Sequence, residues 1–398
     1  MLIDEEIVRL VGINDRALTI LSEPDKIINM RLHVYLPSQG AISVPAYVVY
    51  HNAVRGPPCK GGIRMSSDVT LEETIQLAEI MTYKTALMDL PFGGGKAAIV
   101  ADSRLPAMEK SILVREFAHK IRSELTSGAF VPAPDLGTSP REMAVIFGEI
   151  HMRECVTGKP VGIGGLPGRK EATGYGVATV ADFAAKEFLN SELSELKVAV
   201  QGFGNVGSWA CTFLAEKGAK VVAVTDVGGG TFCWDGIDVE DLKKYVGERG
   251  TVNGYDGKYL TNEQLFKLDV DILIPAAIGG VITAKNAHDI KAKLIIEGAN
   301  APTAPEADKI LAEKGIVVVP DILANAGGVV ASYDEWRMAK SGSRTKKEET
   351  YATVEKTLLE AFKATLDYSG EHEISLRKAA LCIAATRLVD TMEGRGWI

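Results

Sequence analysis

The chain reads Lys197-Val-Ala-Val-Gln-Gly-Phe-Gly-Asn-Val-Gly207 near its middle, and this stretch decides the fold. Its first part, Lys197–Gln201, has the apolar pattern of a buried strand, and the glycines after it predict a tight turn into a helix. A second strand is predicted at Lys220–Thr225, and Asp226 at its end lies nineteen residues beyond Gly207. This order of strand, turn, helix and strand indicates a dinucleotide site, in which the helix N-terminus would face a pyrophosphate.

Asp226 bears on which dinucleotide is bound. An acidic side chain at this position would accept hydrogen bonds from the adenosine ribose hydroxyls, which favours NAD. The residues that follow are Val227-Gly-Gly-Gly230, so no lysine or arginine is at hand for a 2′-phosphate. The alternative is that Asp226 only caps a turn, and NADP is therefore not excluded.

Short apolar runs at 271–274, 293–297 and 316–319 repeat this pattern, with helical segments between them. Strands that alternate with helices predict a parallel sheet covered on both faces. From Asn325 onward the chain is predicted to be helical to its end. The glycine-rich run Gly162–Gly168 precedes the region of alternating strands and helices and is typical of a hinge.

Two lysines in Met81-Thr-Tyr-Lys-Thr-Ala-Leu-Met-Asp-Leu-Pro-Phe-Gly-Gly-Gly-Lys96 form the candidate chemical centre. Lys84 lies in an apolar stripe of a helix, whose start is predicted by the capping-box pair Thr70 and Glu73. The alternative for Lys84 is an ammonium that reaches water while its stem packs. The three glycines before Lys96 either form a tight turn or let a ligand approach. Together these features suggest a pocket for an anion or a carbonyl.

Two more candidates lie on either side of that stretch. Alternating runs at 32–36 and 42–50 predict a β-hairpin, which leads into the segment Arg55–Arg64. We expect this segment to be a loop, in which Lys60 alone would be solvated. Asp135 ends the proline-rich run Val131-Pro-Ala-Pro-Asp, and it either caps the next helix or is a rigidly held acid or base.

Composition excludes several classes of protein. The chain has 398 residues, 46% of them hydrophobic, and its net charge of −8 argues against nucleic acid or an anionic membrane as partner. The five cysteines form no CxxC pair, so we expect neither a zinc site nor a disulfide framework. The acidic N-terminus is unlike a signal peptide, and no apolar run is long enough to span a membrane. These features predict a cytoplasmic protein.

Eight segments, in this order, resemble the glutamate dehydrogenases of the amino-acid dehydrogenase superfamily. They are Lys60-Gly-Gly-Ile-Arg64, Met81-Thr-Tyr-Lys84, Gly93-Gly-Gly-Lys96, Pro132-Ala-Pro-Asp135, Arg169-Lys-Glu-Ala-Thr-Gly174, the glycine motif Gly202–Gly207, Gly298-Ala-Asn300 and Asn325-Ala-Gly-Gly-Val-Val-Ala-Ser332. The resemblance implies a two-domain α/β fold: a substrate-binding and oligomerisation domain at 1–165, a Rossmann domain at 166–330, and C-terminal helices at 331–398 packing back towards the first domain. It also implies a homohexamer.

The same resemblance implies a role for each site residue. Lys96 and Asp135 would be catalytic. The substrate would be bound by Lys84 and Arg169 at its α-carboxylate, by Lys60 and Ser332 at its distal carboxylate, and by Asn325 near its amino group. The cofactor would be bound by Thr173, Gly202, Phe203, Gly204, Asn205, Val206, Gly207, Asp226, Ala276 and Asn300.

The implied activity is the reversible oxidative deamination of L-glutamate to 2-oxoglutarate and ammonium, with hydride transfer to NAD or NADP once the domains close. Because lysines converge on one pocket, we expect Lys96 to lose its proton near neutral pH and to activate water. A dehydrogenase for leucine, valine or phenylalanine is the nearest alternative. Those enzymes resemble this chain, but they carry apolar residues at the positions of Lys60 and Ser332. A sensor that binds dinucleotide without turnover is a further alternative. Ala301 departs from the glycine that often stands there.

Overall fold

A computed structural model describes residues 2–398, which divide into two compact units. The first unit runs to Arg169 and adds Val330–Thr350 and Leu381–Ile398. The second unit consists of Lys170–Val329 and Tyr351–Ala380. The division after Arg169 falls just beyond the glycine-rich run. The assignment of Tyr351–Ala380 to the second unit is a detail that the sequence pattern did not predict.

The first unit is built on a five-stranded sheet with the strand order β1-β2-β4-β3-β5. Its strands are β1 (Lys26–Leu36), β2 (Gly40–Asn52), β3 (Cys59–Met65), β4 (Gly93–Ile99) and β5 (Phe130–Pro134). Helices of the same unit are α1 (Glu5–Val11), α2 (Asp15–Ser22), α3 (Leu71–Leu87), α4 (Ala107–Lys120), α5 (Arg122–Thr126) and α6 (Pro140–Ile150). Strands β1 and β2 pair antiparallel, which confirms the predicted hairpin.

Two segments that we expected to be loops are strands in the centre of this sheet. Lys60 lies in β3, and the glycine run Gly93–Gly95 opens β4, which pairs parallel with β3 and antiparallel with β2. Both expectations were wrong because glycine carries no side chain to mark the alternation of a strand. The buried glycines of β4 serve close packing instead of a turn.

The glycines of β4 bring backbone segments into contact. A Cβ on Gly94 would lie 2.3 Å from the backbone nitrogen of Thr82 in α3. On the neighbouring strand, a Cβ on Gly61 would lie 1.7 Å from the carbonyl oxygen of Gly95. Helix α3 can therefore lie directly against the sheet. A hydrophobic core that includes Leu113 and Phe117 of α4 and Met143 and Ile146 of α6 packs on strands of the sheet.

The second unit is built on a seven-stranded sheet with the order β12-β11-β10-β6-β7-β8-β9. Its strands are β6 (Lys197–Gln201), β7 (Lys220–Asp226), β8 (Gly229–Phe232), β9 (Lys258–Leu260), β10 (Ile272–Pro275), β11 (Leu294–Ile296) and β12 (Val317–Val319). The predicted strands are present, but the sheet is not wholly parallel. Strand β8 turns back antiparallel on β7, and β9 pairs antiparallel with β8, because Gly228 and Gly229 allow a hairpin directly after Asp226.

The remaining helices complete the α/β arrangement. They are α7 (Ala172–Ala184), α8 (Asn205–Glu216), α9 (Val239–Arg249), α10 (Asn262–Phe266), α11 (Pro305–Glu313), α12 (Asp321–Ala324), α13 (Gly327–Ser341), α14 (Lys347–His372) and α15 (Leu376–Gly394). The long C-terminal helices agree with the predicted helical end of the chain. Within residues 2–398, every helix is too short or too polar to cross a membrane.

Candidate active site

The parallel strands β3, β4 and β5 bring Lys60, Lys96 and Asp135 into one unit. Lys60 lies opposite Gly94 in the strand register, and Gly94 precedes Lys96 by two residues on β4. Side chains two residues apart point to the same face of a sheet, so Lys60 and Lys96 share the face on which α3 packs. Asp135 follows directly after β5, the strand that pairs with β3 on its other edge.

Asp135 contacts two cations. Its Oδ2 accepts a hydrogen bond from Lys96 Nζ at 2.6 Å, and its Oδ1 accepts one from Arg64 Nε at 3.0 Å. Burial alone would raise the pKa of Asp135, but Lys96 and Arg64 lower it to about 2. The side chain that caps the N-terminus of α6 is Ser139, not Asp135. Asp135 is thus an ionised carboxylate held at both of its oxygens.

Lys60 is buried to an unusual degree for a charged residue, at 2% exposure. Its ammonium forms no hydrogen bond or ion pair with any other residue that the structure describes. Burial lowers the pKa of Lys60 well below its ordinary value, Arg169 lowers it further, and Glu335 opposes the shift. The crowding of cations that was expected at Lys96 acts on Lys60, whose pKa is lowered, beyond the effect of burial, by Arg169, Lys96 and Lys159.

Arg169 and Ser332 are 163 residues apart in sequence and in contact in the fold. Arg169 Nε donates to Ser332 Oγ at 3.0 Å, and burial lowers the pKa of Arg169 while Glu335 opposes the shift. Glu335 lies one turn after Ser332 on α13. The contact brings the predicted α-carboxylate and distal-carboxylate ligands next to each other.

Sequence reasoning missed the buried ion pair of Lys159 and Glu335. Lys159 Nζ lies 2.8 Å from Glu335 Oε1, and both side chains are 0% exposed. The Glu335 carboxylate also accepts from the backbone nitrogens of Gly158 and Lys159. The sequence did offer one signal for Glu335. It follows the predicted site residue Ser332 by three positions in a predicted helix, and residues three apart lie on one helix face.

Lys84 is buried on α3, as the apolar stripe predicted, with 5% exposure. The end of this helix is held by Arg387, whose Nη1 donates to the carbonyl oxygens of Ala86 at 2.9 Å and Leu87 at 2.5 Å. Free carbonyls at a helix C-terminus accept such bonds readily. Arg387 therefore supports the turn that carries Lys84.

The glycine motif of the second unit forms the cradle that a dinucleotide requires. Gly202 has φ of +96°, and a Cβ there would lie 2.8 Å from the backbone nitrogen of Ala277. A Cβ on Gly207 would lie 1.8 Å from the carbonyl oxygen of Gly202, whereas one on Gly204 would meet nothing within 4 Å. The turn is thus closed on the protein side and open at Gly204, where α8 begins. These residues fit a bound pyrophosphate.

Other predicted cofactor residues surround this turn. Asn205 starts α8 and donates from Nδ2 to the carbonyl oxygen of Lys170 at 3.1 Å, and Ala276 donates from its backbone nitrogen to Gln201 at 2.7 Å. Phe203 is buried, and Val206 lies in the first turn of α8. Thr173 lies near the start of α7, which packs closely on α8.

Asp226 has the position expected of a ribose ligand and also the hydrogen bonds expected of a turn cap. It ends β7, as a ribose ligand should, and it also organises the chain around it. Its Oδ1 accepts from Gly228 N at 2.7 Å and from Thr251 Oγ1 at 3.0 Å, and its Oδ2 accepts from Val252 N at 2.8 Å. Most of its acceptor capacity is therefore already used within the protein.

The loop 298–301 carries Asn300 and is held at several points. Asn325 Nδ2 donates to Asn300 Oδ1 at 3.0 Å, and Ala301 N donates to Asp321 Oδ2 at 2.8 Å. Ala301 has φ of +44°, in the left-handed region that glycine, the residue expected here from the resemblance, adopts without steric cost. A buried network that the sequence did not predict stands behind the loop: Arg377 forms a two-pronged pair with Glu297, which accepts from Asp321 N.

No group of three or more His, Cys, Asp or Glu side chains in the described part of the chain could hold a metal ion. All five cysteines are free thiols.

The fold and the site together define a two-domain α/β dehydrogenase, and comparison with known proteins identifies its family. Residues 164–396 match the family Glutamate/Leucine/Phenylalanine/Valine dehydrogenase, and residues 24–152 match the Glu/Leu/Phe/Val dehydrogenase dimerisation domain. The chain belongs to this family.

Individual relatives cover nearly the whole chain. It is 42% identical to the NADP-specific glutamate dehydrogenase of Saccharolobus shibatae, over 97% of this chain and 93% of that protein. It is 41% identical to the NAD-specific glutamate dehydrogenase A of Halobacterium salinarum, over 88% and 82%. Among solved structures, the hetero-hexameric glutamate dehydrogenase of Thermus thermophilus in its Leu-bound form is 32% identical, with a TM-score of 0.94 over 98% of this chain and 95% of that one.

Proposed function

We propose that the chain is an NAD(P)-dependent glutamate dehydrogenase, which interconverts L-glutamate and water with 2-oxoglutarate and ammonium. The observation that carries this proposal is the buried ammonium of Lys60, which forms no hydrogen bond or ion pair with another residue of 2–398 and lies near Arg169, which contacts Ser332. A free distal carboxylate needs a cationic partner when it leaves water. The named relatives above, at 41% and 42% identity, are glutamate dehydrogenases as well.

The charge of Lys60 separates this proposal from the nearest alternative. A pocket for a leucine or phenylalanine side chain would bury Lys60 with no counter-charge from the substrate, at a cost of several kcal/mol. A dicarboxylic substrate removes that cost by pairing with the ammonium. Lys60 and Ser332 accordingly bind the distal carboxylate, and Lys84 and Arg169 the α-carboxylate.

Asp135 and Lys96 perform the proton transfers. In the oxidative direction Asp135 accepts a proton from the substrate ammonium, which leaves an amine. Loss of hydride from Cα then converts the amine to an iminium, and Lys96 helps to deprotonate the water that attacks the iminium carbon. The carbinolamine then releases ammonia, which Asp135 protonates as the carbonyl forms. The 2.6 Å contact between Lys96 Nζ and Asp135 Oδ2 lets the two groups exchange protons directly. Asn325 orients the substrate amino group.

A nicotinamide dinucleotide held by the second unit would supply the oxidant, which takes up the hydride lost from the substrate Cα. Gly202, Gly204 and Gly207 make room for the pyrophosphate, and Asn300 orients the nicotinamide ribose. NAD is the favoured cofactor, because the negative charge of Asp226 would repel a 2′-phosphate. The three hydrogen bonds that Asp226 accepts within the protein leave acceptor capacity on Oδ2 for a ribose hydroxyl. Relatives include both an NADP-specific and an NAD-specific enzyme, so turnover with NADH and with NADPH must be compared directly.

Assembly into a homohexamer is part of the proposal. The Thermus thermophilus relative is a hetero-hexamer, and residues 24–152 of this chain match a dimerisation domain. Reduced thiols are consistent with the cytoplasm as its compartment. Light scattering on the purified protein measures the number of subunits.

The decisive assay follows loss of reduced cofactor with 2-oxoglutarate and ammonium, run in parallel with NADH and NADPH. A branched-chain oxo acid replaces 2-oxoglutarate in the control. We expect turnover with 2-oxoglutarate, little with the branched-chain acid, and a preference for NADH. Faster turnover of the branched-chain acid would move the chain to the alternative substrate class, and binding of NADH with no turnover of either acid would indicate a sensor.

The role of Asp135 has its own test. Asp135→Asn keeps the size of the side chain and removes its basicity, so we expect kcat to fall by about 10²-fold or more. Circular dichroism and the unfolding midpoint of the variant check that the fold is intact. Undiminished turnover by a folded Asp135→Asn protein would rule out the proton relay.

A further inference from the structure

Arg64 joins three elements of the first unit at the candidate active site. It lies on β3, four residues after Lys60, and its side chain is 18% exposed. Its Nε donates to Asp135 Oδ1, and its Nη1 donates to the carboxylate of Glu73 on α3. The proposed chemistry gives Arg64 no role, and Glu73 was expected only as part of a helix cap.

The two oxygens of Asp135 are divided between two strands. Arg64 of β3 holds Oδ1 at 3.0 Å, and Lys96 of β4 holds Oδ2 at 2.6 Å. A carboxylate held at both oxygens by cations cannot rotate about its last torsion without breaking a charge-assisted bond. Gly62 makes room for this arrangement, because a Cβ there would lie 2.7 Å from Asp135 Cβ. The direction in which Asp135 presents its free lone pairs is therefore set by Arg64 and Lys96 together.

The carboxylate of Glu73 binds Arg64 instead of capping the N-terminus of α3. The pair Thr70 and Glu73 predicted a reciprocal capping box, but only half of it forms: Glu73 N donates to Thr70 Oγ1 at 3.1 Å. The carboxylate of Glu73 contacts the guanidinium of Arg64 instead of returning to the Thr70 backbone. Because a guanidinium presents its N–H groups in one rigid plane, fixing one edge of it aims the others.

We propose that Arg64, oriented by Glu73, is a positioning residue that fixes the Asp135 carboxylate for proton transfer and keeps it ionised. This inference rests on the proposed role of Asp135 as the proton relay. The charged groups that face Asp135 are Lys96 from β4 and Arg64 from β3, with Glu73 of α3 behind Arg64. Arg64 favours the ionised form of Asp135 and fixes the orientation of its carboxylate. Glu73 contributes only to the orientation, by holding the guanidinium of Arg64.

These separate contributions predict different kinetic signatures. Arg64→Gln removes a cation, so the acid limb of the kcat/KM profile for glutamate oxidation moves to higher pH by about one to three units. Its kcat falls by about tenfold or more, since the carboxylate is free to turn. Arg64→Lys keeps the charge and loses the rigid plane, so its kcat falls with a smaller shift of the limb. Glu73→Gln lowers kcat and leaves the limb in place or moves it to lower pH.

Arg55→Gln is the matched control. Arg55 is similarly buried, at 15% exposure, and pairs with Asp89 in the same unit, away from Asp135. We expect this variant to keep the pH profile of the unmodified protein. The unfolding midpoint of each variant is measured alongside, and if Arg64→Gln does not fold, Arg64→Lys and Glu73→Gln carry the test.

Two outcomes overturn the inference. In the first, Arg64→Gln behaves like Arg55→Gln. In the second, the Arg64 and Glu73 variants lose activity only in proportion to their folded fraction and keep the same limb, which is the signature of a structural role. Asp135→Asn distinguishes these failures from a failure of the proposed function: if it is inactive while the Arg64 variants are normal, only the role of Arg64 is wrong.

Discussion

Lys60 is the residue at which burial and charge oppose each other most directly. Lys60→Met removes the ammonium and keeps the length of the side chain. We expect the KM for glutamate to rise by about 10- to 150-fold, because a charge-assisted hydrogen bond worth roughly 1.5–3 kcal/mol is lost. The ligand-free protein should become more stable, since a buried charge without a partner no longer has to be desolvated.

Steady-state kinetics and urea unfolding of the same preparation measure both effects. Ser332→Ala serves as the comparison, because it removes a neutral partner and should raise KM without stabilising the protein. A Lys60→Met protein with unchanged glutamate affinity would contradict the assignment of the distal carboxylate. A fall in its stability would contradict the view that this ammonium awaits a ligand.

Glu335 illustrates the opposite case, a buried charge whose partner is built in. Glu335→Gln leaves the Lys159 ammonium buried beside a neutral amide, and we expect the free energy of unfolding to fall by about 3–5 kcal/mol. The double variant Lys159→Met/Glu335→Gln removes both charges, keeps an acceptor oxygen for the backbone nitrogens of Gly158 and Lys159, and should cost less than the single change. Urea unfolding at neutral pH compares the three proteins. A double variant less stable than Glu335→Gln would mean that the pair itself, not the uncompensated charge, stabilises this region.

At the scale of elements, the contact of α3 with β4 depends on glycine. Gly94→Ala places a methyl group 2.3 Å from the backbone nitrogen of Thr82, so either α3 or the strand must move. Overpacking of this kind costs about 1–3 kcal/mol or more, and the shift should also lower kcat because α3 carries Lys84 and β4 carries Lys96. Gly148→Ala is the control, on an exposed face of α6 with nothing within 4 Å, and it should stabilise by about 0.5–1 kcal/mol. Thermal unfolding and turnover are measured for both variants, and equal effects would show that the close approach is not limiting.

The elements that sequence patterns predicted well are those in which side chains carry the pattern. The alternation in β1 and β2 and the apolar runs of β6 and β7 gave strands at the expected places. Strand β3 and the glycine run Gly93–Gly95 that opens β4 were expected to be loops, because glycines replace the side chains that would have marked a strand. Their identity depends on backbone packing against α3 and β2, which a local pattern does not contain.

The site was predictable to the extent that its residues stand in recognisable segments. Lys60, Lys96 and Asp135 could be singled out, but the contacts that set their charge could not. Lys159 and Glu335 are 176 residues apart, and Arg377 and Glu297 are 80 apart. Neither pair leaves a local signature, since each residue alone reads as an ordinary exposed charge. Only the fold places them together in the interior.

At the scale of the whole molecule, the response to acid should have two separate stages. His51 on β2 is 2% exposed, and its Nδ1 lies 3.0 Å from Thr82 Oγ1 of α3. Burial lowers the pKa of His51 from 6.5 to about 4. The unfolded chain therefore binds the proton more readily than the folded chain between these values, and stability is complete above pH 6.5 and falls as the pH drops to about 4. The pKa of Asp135, lowered from 3.8 to about 2, adds a second loss only below pH 3.8.

The first stage can be assigned to one residue by removing it. His51→Asn keeps a polar group near Thr82 and cannot titrate, so the loss of unfolding free energy between pH 6.5 and pH 4 should shrink by about 3 kcal/mol. Urea unfolding midpoints across this range, for the variant and the unmodified protein, give the two slopes, and the comparison of slopes is insensitive to any constant cost of the smaller side chain. His119→Asn is the matched control, because it replaces an exposed histidine whose pair with Glu149 lies on the surface, where ion pairs contribute little to stability. If the two variants changed the slope equally, acid sensitivity would be a property of the surface charge as a whole and not of the buried contact between β2 and α3.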